Sequence, residues 1–417
     1  MRDLLYSCFF FFMPFTQALT FNVGFPLKFS ELSLFLLGLT YLLFNKKILL
    51  PKKLILLVSA LFFMITISVI VNLFWKYPYP LREYESRFGY TGDAIAKYIY
   101  FGLALLSFFI SVDIFLTDRK KYTAIWIYGS LAAAAYSWYL VIFSALKMHV
   151  YLLPGMIDPP QTINGTIIRC GTFLEGNIMG LYLVLSAALC LYVKKIKYGI
   201  FLLISVITTF STLSIISAFV LTFIYLQHKI FQRKNLGWGF AGIVLLAAGL
   251  FFFSQTSLYK MYVHDKLFAR TDRITTEAGL SKLDRLYTFE SAYNTALANP
   301  VLGVGLSNFS RHYDKYLPAT NDAGIRNFMM KKNSKVIPNN IYVELWAENG
   351  IVALLVFLAF LGLLLLYARE DRSKALLGGL VCMMLCFFAY PTFTMIYLWA
   401  FMAAPVAGYI SHKVETE

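Results

Sequence analysis

Between Ser254 and Gly350 the chain carries Asp284-Arg285, then Asn299-Pro300-Val301-Leu302-Gly303-Val304-Gly305, then Pro338-Asn339-Asn340-Ile341-Tyr342. This is the one long polar, aromatic-rich stretch in a sequence that is otherwise apolar. Runs near the length that crosses a hydrocarbon core bracket it on both sides, about twelve in all. Composition agrees: 59% of residues are hydrophobic and only 14% charged, against about half and about a quarter in a soluble domain. The sequence therefore reads as an all-α polytopic membrane protein with about twelve transmembrane helices and one long extracytoplasmic loop containing short helices.

Working outward from the stretch, residues 1–253 hold spans one to nine with short outer loops. Residues 254–340 form the long loop, and 341–417 hold spans ten to twelve and a cytoplasmic tail. The first apolar run lacks a small-residue cleavage motif and reads as a retained span, broken by Pro14. Spans four and five flank the turn Asp118–Lys121. Between Lys197 and Gln227 an uncharged apolar run is interrupted by Thr208, Thr209, Ser211, Thr212, Ser214 and Ser217. It is too long for one untilted helix, and its two basic flanks fit two short helices meeting at the hydroxyls. Such a break survives only buried in protein or lining a cavity, and the hydroxyls serve either a cavity or their own helix.

The net charge of +15 raises nucleic acid as a partner, but its placement excludes it. Short loops on one side hold 18 of the 37 Lys and Arg, and those on the other side hold seven, among them Arg82, Arg87, Lys97 and Arg169. By the positive-inside rule both termini are cytoplasmic and the long loop is periplasmic. Four of the five cysteines fall in expected spans, which excludes a disulfide framework on the outer face. The Cys382–Cys386 pair reads as packing. No cofactor and no metal is expected.

In the long loop, Asp284 to Ala298 has helical periodicity, with Leu286, Phe289, Ala292, Tyr293, Ala296 and Leu297 on one stripe. Asn299-Pro300 ends the helix, and Gly303 and Gly305 make a tight turn. A lone Gly-x-Gly is a turn more often than a phosphate cradle. The outer segment Lys76–Asp93 reads as an interfacial loop in which Arg82 or Arg87 could hold an anionic head group.

Arg285 on an amphipathic helix, Asn299-Pro-x-x-Gly-x-Gly-x-x-x-Phe309, Asn340-x-x-x-Glu344 and Glu348-Asn349-Gly350 together resemble the C-terminal signature of the O-antigen ligase and polymerase family. Arg169-x-Gly171-Thr172-Phe173 and Asn177-x-x-Gly180 are similar to that family's earlier outer-loop motif. The resemblance covers most of the chain. It implies a glycosyltransferase of the bacterial inner membrane that takes a glycan from undecaprenyl diphosphate and passes it to a sugar or lipid A core acceptor. A chain-length regulator and membrane lipid are the further partners it implies.

A diphosphate leaving group calls for fixed cationic donors, and the bidentate, permanently charged Arg suits it. The resemblance assigns Arg169 and Arg285 to this role. It also brings Asn339, Asn340 and Glu344 to the reacting groups and Glu348 to the substrate, while Arg82 and Arg87 are substrate-binding candidates from their place in the outer segment Lys76–Asp93. Glu344 lies one helical turn beyond Asn340 and shares its face.

The chain departs from the family in places. Many members have His-Asn where this sequence has Asn339-Asn340, and Asn cannot act as a general base. A base would fall to Glu344, Glu348, His312 or Glu175, among which the sequence does not choose. The family's Thr-x-Ser-Arg reads Thr212-Leu213-Ser214-Ile215, and its final Gly is Ala353. Loss of the His tilts the expectation to a polymerase of lipid-linked repeat units over a ligase. From another class, a transporter of lipid-linked glycan would want charges inside its spans. Asp113, at a span end, is the one candidate.

Overall fold

The computed structural model describes residues 2–22, 26–44, 48, 50–86, 88–163, 165–230, 255, 277–319 and 334–416. Arg87, the expected span Leu236–Phe253 and much of the long loop lie outside these residues.

The chain is predominantly helical. Among the described residues three helices are long and apolar enough to cross a membrane: α3 (Lys52–Phe74), α4 (Gly89–Ala145) and α10 (Ile341–Glu370). Shorter apolar helices accompany them: α2 (Phe29–Leu43), α5 (Gly176–Tyr192), α6 (Ile196–Ser205), α7 (Thr212–Ile230) and α11 (Lys374–Cys386). The chain opens with α1 (Arg2–Phe11) and closes with α12 (Ile396–Thr416), while α8 (Glu277–Ala298) and the one-turn α9 (Phe309–His312) belong to the long loop. Two small hairpins complete the inventory, β1 (Thr20–Asn22) with β2 (Pro26–Lys28) and β3 (Thr162–Ile163) with β4 (Ile167–Ile168).

The burial pattern explains the layering. Almost every residue of α5 from Gly176 to Leu191 is buried, as is α12 from Tyr397 to Ala407. A helix apolar on all sides belongs at the centre, and α12 packs against α4 while α5 packs against α6, α7 and α11. On the periphery, α2 and α3 expose Phe35, Leu42, Leu56, Phe63 and Phe74. So large a continuous apolar exterior is a lipid-facing surface.

Some expectations change in detail. The first helix ends at Phe11, ahead of the expected break at Pro14, because Pro14 cannot donate to the ladder and pushes the residue before it out of the helical region. As the expected turn at Asp118–Lys121 implies, the 57-residue α4 is two helices, divided where Asp118 leaves helical geometry (φ −156°, ψ 86°). The hydroxyl-rich run breaks at Phe210, which adopts φ 50° after a 3-10 turn over Val206–Thr209. Its hydroxyls are consumed by packing. Thr208 bonds to Ser137 (2.8 Å), Ser205 accepts from Trp138 Nε1 (2.9 Å), and Thr209 donates to the carbonyl of Val206 (2.7 Å). The cysteines are free, and Cys382 and Cys386 both pack on Ser217.

Candidate functional site

The site is built around a break in α10. Asn340 caps this helix: its Oδ1 accepts from the amides of Tyr342 and Val343, and its Nδ2 donates to the Phe388 carbonyl. An Asn cap satisfies amides that a helix start leaves unpaired. Asn339, before it, takes the left-handed φ of 52°, which Asn tolerates better than most residues. Ten residues on, the helix kinks at Gly350 (φ 83°, ψ 170°).

The turn Asn299–Gly305 docks into that kink. The amides of Val304 and Gly305 donate to the carbonyls of Ala347 (2.8 Å) and Glu348 (3.0 Å), and Ile351 donates to Pro300 (2.8 Å). A Cβ on Gly350 would stand 1.8 Å from the Val301 carbonyl oxygen, so the left-handed backbone and the close approach both require glycine there. Helix α3 closes the junction from the other side. The Leu306 amide donates to the Ser68 carbonyl (3.2 Å), Ser68 Oγ to the Glu348 carbonyl (2.7 Å), and Asn72 Nδ2 to the Leu306 carbonyl (2.5 Å). The two glycine-bearing motifs of the long loop are thus one object, a turn clamped on a helix break. The Gly303 amide bonds within the turn to the Asn299 carbonyl (3.1 Å) and those of Val304 and Gly305 to the clamp, so none of the three is left to cradle a phosphate.

Within the clamp, Glu344 and Glu348 share one face of α10 and converge on Lys97 of α4. Lys97 Nζ lies 2.6 Å from Glu344 Oε1 and 2.6 Å from Glu348 Oε2. The Ser307 amide also donates to Glu348 Oε2 (2.9 Å). Lys335 Nζ donates to Ser307 Oγ (2.5 Å) and to Asp93 Oδ2 (3.2 Å), which accepts in addition from Tyr84 (3.1 Å). Three carboxylates therefore meet two ammonium groups. Burial, and next the charge of Lys97, hold the Lys335 ammonium below the ordinary lysine range, with Asp93 pulling the other way. Both glutamates are almost fully buried, and among the described residues Glu344 Oε2 has no hydrogen-bond partner, nor has the side chain of Asn349.

The earlier motif reaches the same end of the bundle by another route. Arg169 Nη2 donates to Gln161 Oε1 (2.8 Å) and Nη1 to the Thr209 carbonyl (3.4 Å) at the break between α6 and α7. Its Nε is buried without a partner among the described residues. Eight residues later Asn177 Nδ2 donates to the Ala389 carbonyl (3.1 Å), beside the Phe388 carbonyl that Asn340 holds. The 3-10 turn Phe387–Ala389 is therefore gripped from both sides, and it links the Arg169 motif to the start of α10.

Arg285 is exposed on α8. Among the described residues no hydrogen bond or ion pair joins Arg169, Arg285 and Glu344. The buried face of α8 is Thr288, Ser291, Ala292, Thr295 and Ala296. This corrects the expected stripe, in which only Ala292 and Ala296 are buried, while Leu286, Phe289, Tyr293 and Leu297 are 39–52% exposed. Small side chains let α8 approach α10 closely, and Ser291 Oγ donates to the Tyr313 carbonyl (2.9 Å).

Arg82 is buried, 3.8 Å from Asp314 through Nε, with Nη1 and Nη2 unpartnered among the described residues and its guanidinium over the Tyr313 ring. Lys97, Ser307, Lys335 and Asp93 escaped the sequence reading. The available signal was Lys97 itself, an ionisable residue eight positions into an apolar helix.

His312 is unsuited to be a base. Tyr79 Oη lies 2.8 Å from Nδ1 and Asn308 Nδ2 lies 3.2 Å from Nε2, so both ring nitrogens are engaged. Burial, then the charges of Arg311 and Lys315, push its pKa from 6.5 down to about 3. The sign follows from linkage: below 6.5 the unfolded imidazole takes a proton that the folded one refuses. Stability contributed at neutral pH is then lost on acidification, at up to about 1.4 kcal/mol per pH unit between the two values. Thermal unfolding in detergent from pH 7.5 to 4.5 should show this slope in the wild type, and His312→Gln should flatten it.

Fold and site together define a class: a polytopic helical membrane protein with a buried carboxylate–lysine cluster and arginines at one end of the bundle. Residues 198–358 match the family model described as O-antigen ligase, and this supports the O-antigen ligase and polymerase family. The match includes Arg285, Asn299–Phe309 and Asn340–Gly350, and Arg169 precedes it. No curated protein and no solved structure matches the chain. Among the described residues no group of three His, Cys, Asp or Glu is arranged to hold a metal.

Proposed function

We propose that the protein is a glycan polymerase that joins oligosaccharide repeat units carried on undecaprenyl diphosphate into O-antigen or a related surface polysaccharide. The observation that carries this reading is the clamp of Asn299–Gly305 on the Glu344–Gly350 break. It converts two family-like motifs into one site with paired carboxylates.

In the reaction the bond between the anomeric carbon and its phosphate oxygen breaks, and undecaprenyl diphosphate leaves. A hydroxyl of the acceptor sugar forms the new bond to that carbon, and its proton passes to a carboxylate. Glu344 is our choice for this base, since its Oε2 is unengaged while Glu348 Oε2 is fixed by Lys97 and the Ser307 amide. Arg169 and Arg285 neutralise the charge growing on the diphosphate, with Arg82 holding a further anionic group. Asn339 orients the acceptor, and Asn340 fixes the start of the helix that carries Glu344. The distribution of Lys and Arg supports an inner-membrane placement with cytoplasmic termini, about twelve spans and a periplasmic long loop.

A ligase is the second reading, favoured by the description of the matching family model. Purified protein in vesicles, given a synthetic lipid-linked repeat unit, distinguishes the two on a gel that resolves chain length. A ladder of lengthened lipid-linked glycan supports the polymerase. Transfer that needs added lipid A core moves the assignment to the ligase, and no transfer with either acceptor refutes both.

A further inference from the structure

Helix α8 presents an apolar face that the transfer reaction does not explain. Leu286, Phe289, Tyr293 and Leu297 follow one another at spacings of three and four residues and are 39–52% exposed. Residues so spaced line one face of a helix. The exposed path does not end with α8. It continues through Val301 and Leu302, 60% and 41% exposed, in the turn whose Pro300 carbonyl accepts from the Ile351 amide. Val352, Leu355 and Leu358, the next exposed residues of α10, are the outward face of a helix long and apolar enough to cross the membrane. Tyr293 also meets the Trp346 ring of α10 edge-on, with centroids 5.8 Å apart. Tyr and Trp are the residues that favour the membrane–water boundary. The exposed Arg285 and Glu290 flank the stripe, in the arrangement of a helix lying in the interface plane with its charged side chains reaching to water.

We infer that α8 is seated on the bilayer, with Leu286, Phe289, Tyr293 and Leu297 in the boundary between acyl chains and head groups. The continuity with the lipid-facing surface of α10 selects lipid over a protein partner. Arg285, at the edge of the seated face, then stands at the level of lipid phosphates. The seating is independent of the transfer reading, whereas the use of Arg285 on a lipid diphosphate rests on it.

Single cysteines at Phe289, Leu297 and Ala298 in the full chain with its five native cysteines replaced by alanine, labelled with an environment-sensitive fluorophore in phosphatidylethanolamine–phosphatidylglycerol vesicles, test the inference. Ala298 is exposed but lies off the stripe. The labels at Phe289→Cys and Leu297→Cys should be quenched by a spin-labelled lipid and protected from aqueous iodide, and the label at Ala298→Cys should behave in the opposite sense. Iodide quenching equal at all three positions overturns the inference. So does protection of 289 and 297 from both quenchers, which would mean that protein covers the stripe. Neither reading depends on glycan transfer, so failure here is separate from failure of the proposed function.

Discussion

Lys97→Met should lower the stability of the protein by about 3–5 kcal/mol, the cost of leaving buried charge without its partner. Glu344 and Glu348 are almost fully buried, and each lies 2.6 Å from the one ammonium group. Removing that group leaves two carboxylates facing each other inside the bundle. Most of the loss should be recovered when Glu344→Gln and Glu348→Gln are added, because three neutral groups of similar shape carry no uncompensated charge. The melting midpoint in detergent, followed through the single, double and triple variants, checks this order. Transfer should behave differently: the triple variant regains the fold and not the activity, since Glu344, the carboxylate assigned to take the acceptor proton, is gone. A triple variant that regains both would reduce the cluster to a structural pin.

The second large effect is at Arg169. Arg169→Ala should cut the initial rate of transfer by about 10²–10³, the loss seen when one fixed donor to a developing anion is removed. Arg169→Lys should restore only a small part, because an ammonium keeps the charge but not the fork that binds two phosphate oxygens. Arg169 also bonds Gln161 and the Thr209 carbonyl, so a rate loss alone would not separate positioning from direct contact. The melting midpoint and the apparent donor KM, measured together, do so. An unchanged midpoint with a lower kcat is the expected pattern. A lowered midpoint that accounts for the rate would return Arg169 to a structural role.

The helices long and apolar enough to cross a bilayer, α3 and α10, were legible because apolar length is a one-dimensional property, and the kink at Asp118 falls where the charges predict a turn. The faces were less legible. Periodicity in Asp284–Ala298 reveals a stripe of large side chains, but close helix approach selects the small one, with Ser291, Ala292, Thr295 and Ala296 inward. The centre of the candidate site was half visible. Glu344 and Glu348 stand out as carboxylates in an apolar helix, whereas Lys97 lies 247 and 251 residues from them. Nothing local marks such a pairing. The sequence of Gly303-Val304-Gly305 predicts a turn, and only its contacts show that it closes on the Gly350 break.

The most direct test of the central claim is to measure undecaprenyl diphosphate released from a synthetic lipid-linked repeat unit alongside the glycosidic bonds formed, in sealed vesicles with wild-type protein. Glycan transfer requires one lipid diphosphate for each bond, with both falling together in Arg169→Ala and Glu344→Gln. Movement of the intact lipid-linked glycan between the two leaflets without release of undecaprenyl diphosphate would contradict the account and identify a transporter.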